Sequence, residues 1–165
     1  MKKALFVFLL ILSVLLCSCK GKELSADSVL NRMLALSGEG MEESGVLFSS
    51  SAEENTLGYM SDENKRIMYS EKAGSDCFSK IEQFAIFVSA HGVCEVAVFK
   101  CYSASDTDAI IEMCAERADA IKVTLRGSQW EEKSKKARIV VSGRWVVFVL
   151  CDESEKAEEC FNKIV

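Results

Sequence analysis

Two apolar runs in the second half of the chain, each folded back on a glycine, constrain its architecture most. Residues 83–90 and 93–102 are rich in Val, Phe and Ile and flank His91-Gly92. Residues 138–141 and 144–151 repeat the pattern around Ser142-Gly143. Such runs read as strands, and a two-residue connection whose glycine can take positive φ closes a β-hairpin. Between the hairpins lies the strongest helical signal, residues 106–126. There Ile110, Cys114, Ala118, Ile121 and Leu125 recur at spacings of three and four, which puts them on one helix face. Ser105 reads as the cap of this helix, Asp108 as the acid closing a capping box, and Gly127 as the C′ residue.

Weaker signals fill in the rest. A first helix is expected over 26–37, with Ser25 as N-cap and Leu24 and Val29 at the spacing of a hydrophobic staple. Ala26, Val29, Leu30 and Met33 share its apolar face. Residues 38–60 read as a loop with one short strand at 46–49, residues 62–69 as a short helix, and 71–79 as a loop. The polar stretch 129–136 reads as helical. A last helix starts at Asp152 or Glu153 and lines up Ala157, Phe161 and Ile164. The order predicts an α+β domain: an antiparallel sheet built from two β-hairpins, with helices packed on one face. The strands are nearly continuous apolar runs, so the other face is either covered as well or an interaction surface.

The amino terminus carries a different kind of information. Met1-Lys2-Lys3 precedes thirteen residues, Ala4 to Leu16, of which only Ser13 is polar. A basic start followed by an apolar segment of this length is an export signal, too short for a bilayer span of about 20 residues. Leu16-Cys17-Ser18-Cys19 resembles the lipobox of bacterial lipoproteins: an aliphatic residue, a tolerant position, a small residue and the lipidated cysteine. Cys17 would put Leu16 in the small-residue slot, so Cys19 is the lipidation candidate. The expected organisation is a signal peptide at 1–18, a lipidated tether at 19–24 and a single domain at 25–165. Lys20 and Lys22 would sit beside anionic head groups, each contributing about 1 kcal/mol.

Removing residues 1–18 leaves 18 basic and 25 acidic residues, a formal charge of −7. That argues against a nucleic-acid partner, which needs a basic face. Besides Cys19 the mature chain holds Cys77, Cys94, Cys101, Cys114, Cys151 and Cys160. None is spaced C-x-x-C, and several fall at apolar positions where cysteine acts as a small hydrophobe. They are expected to be mostly buried thiols.

The stretches 84–89, 95–100, 139–149 and the long helix carrying Arg117, taken with the lipobox, resemble a group of small lipoproteins, mostly from Firmicutes, that end in a domain of unknown function. The resemblance covers roughly Leu24 to the end. It implies an envelope location and this fold, and no activity. The group often carries Tyr and Pro after the long helix, whereas this chain has Gln129-Trp130 and no proline.

Few residues suggest chemistry. His91 is the only histidine and lies three residues before Cys94, a spacing that allows a nucleophile and its base. A hairpin-turn side chain normally points to water, however, so the pair ranks third. Glu95 is an acid in an apolar strand, with Lys100 near the end of that strand, and Arg117 on the next helix is its expected ion-pair partner. Arg144 and Trp145 open the last strand and are residue types enriched in binding hot spots. The run Glu131, Glu132, Lys133, Lys135 and Lys136 reads as a solvated helix face. No phosphate loop, nucleophile elbow or H-E-x-x-H motif is present, and neither metal nor cofactor is implied. The sequence thus points to a non-catalytic accessory lipoprotein on the extracytoplasmic face of the cell membrane, anchored through Cys19 and binding an envelope protein. The alternative is a small-ligand or peptide binder serving a membrane complex, with a pocket near Glu95, Arg117 or Trp145.

Overall fold

The computed structural model describes residues 23–36, 45–69, 76–89 and 93–165. The expected signal segment and lipidation site Cys19, Lys20 and Lys22 of the expected tether, and the expected His91-Gly92 turn lie outside them. In chain order the elements are α1 (Ala26–Leu36), β1 (Gly45–Ser49), α2 (Asp62–Tyr69), β2 (Ile81–Ser89), β3 (Glu95–Cys101), α3 (Thr107–Leu125), the short α4 (Glu131–Ser134), β4 (Arg138–Ser142), β5 (Trp145–Leu150) and α5 (Ser154–Ile164).

The strands form one five-stranded antiparallel sheet in the order β1-β2-β3-β5-β4. Both expected hairpins are present as neighbouring strand pairs. The short strand β1 adds a fifth member by pairing with the outer edge of β2, Leu47 opposite Phe87. The two hairpins meet at β3 and β5, the central strands, and every residue of both is buried.

That burial decides between the two readings left open for the second sheet face: it is covered as well. Side chains alternate across a strand, and each face has its own helical cover. On one side α1 and α5 enclose Ala85, Phe87, Val96, Val98, Val147 and Val149 with their own Val29, Leu30, Met33 and Phe161. On the other, α2 and α3 enclose Ile86, Ala97, Phe99, Val146 and Phe148 with Tyr69, Ile110, Met113 and Cys114. A sheet apolar on both faces cannot leave one of them in water, since each large side chain fully buried contributes about 1.5–3 kcal/mol.

Local details follow from capping and turn chemistry. Ser25 Oγ accepts the Ser28 amide at 3.2 Å and starts α1 as expected. The long helix starts differently: Ser103 donates from its backbone N–H (3.1 Å) and its hydroxyl (2.6 Å) to Asp106, ahead of a 3-10 turn at Ala104–Asp106. The spacing S-x-x-D occurs twice in overlap here, and the first copy is used, not Ser105 with Asp108. Gly127 closes α3 at φ +74°. In the second hairpin Ser142 pairs with Trp145, so the turn residues are Gly143 and Arg144 rather than Ser142 and Gly143. Gly143 has φ +57° and Arg144 does not share the positive φ, the requirement of a type II′ turn. The helix in the stretch 129–136 is limited to α4, and Lys133 is not simply solvated: it reaches Asp152 at 2.9 Å.

Candidate functional site

Glu95 opens β3 beside Val88 of β2 and Leu150 of β5, on the face covered by α3. It is 1% exposed. Arg117, on α3, donates to Glu95 Oε2 from Nε at 3.0 Å and Nη2 at 2.7 Å. The Tyr69 hydroxyl, at the end of α2, donates to Oε1 at 3.0 Å. The Tyr69 ring is held edge-on against Phe78 and Phe99, each with centroids 5.8 Å away. Both carboxylate oxygens are therefore engaged, and three elements are tied at one buried point.

The electrostatics match a closed cluster. Burial, then the Glu95 charge, pushes the Tyr69 hydroxyl well above its usual range. Burial works against charge on Arg117, yet the Glu95 carboxylate raises it. Cys114 lies one turn before Arg117, and burial, seconded by Glu95, pushes its thiol well above 9.0. Such a thiol is a poor nucleophile.

The second pair of sequence-flagged residues lies on the opposite face. Lys100 points away from Glu95, as the alternation of β3 requires. It is 1% exposed. Its Nζ bonds Glu23 Oε1 at 2.9 Å and the Leu24 carbonyl at 3.5 Å, lies 3.5 Å from Glu82, and sits 5.4 Å above the Trp145 ring. From the turn, Arg144 adds Nη1 to Glu82 at 2.5 Å and Nη2 to Glu23 at 2.6 Å. Trp145 itself is part of the core under α1. Gln83 Oε1 accepts the Ala26 amide at 3.1 Å. Two acids and two bases thus clasp the segment that leads into α1. Lys100 first, then Arg144, holds the exposed Glu23 carboxyl below its ordinary value.

Glu95, Arg117, Arg144 and Trp145 therefore make two clusters on opposite faces. Sequence reasoning missed Tyr69, Glu82 and Glu23. A lone lysine in the run Val96-Ala97-Val98-Phe99-Lys100 signals that a partner exists, but nothing local points to an acid 77 residues away.

Among the described residues, one surface depression of about 430 Å³ lies along the sheet edge at β1 and is lined in part by Asp27, Val46, Leu47 and Leu57. Val46, Leu47 and Leu57 are exposed. Another, about 640 Å³, is charged and runs from Lys135 to Arg138 against residues 152–155. Glu95, Arg117 and Trp145 line neither. Among the described residues no helix is long and apolar enough to cross a membrane. Comparison with family models, curated proteins and solved structures finds no match.

Proposed function

We propose that this protein is a lipid-anchored accessory module on the extracytoplasmic face of a bacterial cell membrane. Cys19 carries a diacylglyceryl group, and the folded domain binds an envelope protein rather than turning over a substrate. The observation that carries this reading is the clasp on Glu23. Glu23 lies only four positions after Cys19, a reach of about 14 Å at roughly 3.4 Å per residue. A lipid on Cys19 would then hold the Lys100 and Arg144 end of the sheet against the head groups. Two acyl chains suffice for stable anchoring, at about 0.8 kcal/mol per buried methylene.

The β1 edge supports the binding half of the proposal. It is an outer strand with apolar side chains in solvent, the arrangement to which an extended segment adds by backbone pairing. The small-ligand alternative has less support, because Tyr69 and Arg117 fill the space around Glu95. A photo-crosslinking residue at Leu47, compared with one at exposed Lys122 on α3, tests the proposal in the full-length protein. A discrete adduct from position 47 that disappears in Cys19→Ala is expected. Equal labelling from both positions, or substrate turnover by the purified protein in a broad hydrolase screen, would overturn it.

A further inference from the structure

The ladder between β3 and β5 ends at Glu95 opposite Leu150. One residue further in the same register, Cys94 stands opposite Cys151. The hydrogen-bond pattern fixes the kind of pair. The Cys101 amide donates to the Arg144 carbonyl at 2.8 Å, so hydrogen-bonded pairs fall at the odd-numbered residues of β3. Cys94 and Cys151 then form a non-hydrogen-bonded pair, whose Cα atoms lie about 4.5 Å apart. A disulfide spans roughly 4.4–6.8 Å between Cα atoms.

The surrounding backbone agrees. The Cys94 carbonyl accepts the Ser89 amide at 2.8 Å and its own amide donates to Ser89 Oγ at 3.1 Å, so both face β2. The Cys151 amide donates to Ser154 Oγ at 3.2 Å. No backbone bond between the two cysteines competes for the space. Both sulfurs belong to the core under α1 and α5, and both residues are 0% exposed.

We propose that Cys94 and Cys151 are a redox pair that forms a structural cross-strand disulfide when the chain folds in an oxidising compartment. The oxidant is a disulfide, either protein-borne or a small molecule. The Cys151 thiolate attacks one sulfur of that disulfide, forming a mixed disulfide and expelling one thiolate. The Cys94 thiolate then attacks Cys151 Sγ and expels the second. Two electrons pass to the oxidant, and the two protons lost by the cysteines end on the two product thiols. Formation precedes closure of the core, and burial then shields the bond from reductants.

Position favours this pair over the others. In the closed fold the Cys94 thiol, followed by the Ser154 hydroxyl, lowers the Cys151 thiol to about 7 against the effect of burial, which places both groups beside it. Cys101 and Cys114 lie across the sheet from Cys94.

The oxidising surroundings rest on the extracytoplasmic reading above, and two arms separate the two ideas. The full mature protein, detergent-extracted, is unfolded with reductant, refolded with a reduced and oxidised glutathione couple, and alkylated. Mass spectrometry should find Cys77, Cys101, Cys114 and Cys160 alkylated and the peptides of Cys94 and Cys151 linked. The link should part on reduction, and reduction should lower the urea midpoint of the wild type but not of Cys94→Ala/Cys151→Ala. Six alkylated cysteines, or a different linked pair, would overturn the proposal. The second arm alkylates the protein in intact cells before extraction. A link there supports both ideas, whereas a link only after refolding upholds the pair and contradicts the extracytoplasmic location.

Discussion

Glu95 is a charge with almost no water, and its stability depends on Arg117 and Tyr69. Removing one partner of a buried ion pair typically costs about 3–5 kcal/mol, while replacing both by apolar residues is close to neutral. Arg117→Gln should therefore lower unfolding free energy by several kcal/mol in urea titrations, and Glu95→Leu/Arg117→Met should recover most of the loss. Tyr69→Phe, which leaves one carboxylate oxygen without its donor, should cost about 1–3 kcal/mol. On the other face, the Glu23 carboxyl is held below its ordinary value of 4.5. A lowered carboxyl stabilises the fold at and above that ordinary value and loses its effect as pH falls through the lowered one. Carboxyl ¹³C NMR should place the Glu23 midpoint below 4.5, and Lys100→Met should return it upward. Glu95 with Arg117 could be read from the sequence, because an acid in an apolar strand demands a cation. Tyr69 could not, since an aromatic residue at a helix end packs or bonds in many ways. Glu23 and Glu82 were equally invisible, because their partners meet only once the sheet has formed.

At the scale of elements, strands and helices follow from side-chain period, and their ends follow from chemistry that repeats nearby. The two overlapping S-x-x-D sequences before α3 show the difficulty: both satisfy the pattern, and only one starts the turn. Ser103→Ala should therefore cost about 0.5–2 kcal/mol and Ser105→Ala less, by urea denaturation. The hairpin turn moved by one residue for a similar reason, since Gly143 could serve either turn position. Covering of both sheet faces was foreshadowed by strands with no polar alternation, although which helix lies on which face depends on tertiary packing. The addition of β1 left a clear mark at Gly45. There a Cβ would collide with the Val88 carbonyl oxygen and the Phe87 ring. Gly45→Ala should loosen β1 from β2, seen as faster amide exchange of residues 45–49 with β3 and β5 unaffected.

For the whole molecule, a lipid on Cys19, as proposed, would let the clasped tether hold a two-faced α+β domain close to a membrane. The fold class was readable from two hairpins and a long helix. The clasp, the β1 edge and the Cys94–Cys151 register required the three-dimensional arrangement. Charge alone would not bring a chain of formal charge −7 after removal of residues 1–18 to an anionic surface, so the lipid is essential to the account. The most direct measurement is mass spectrometry of the amino-terminal peptide from protein extracted from the membranes of an expressing bacterium. The expected peptide begins at Cys19 and carries a diacylglyceryl group on its sulfur. An unmodified amino terminus, or cleavage at another residue with the protein in the soluble fraction, would contradict it.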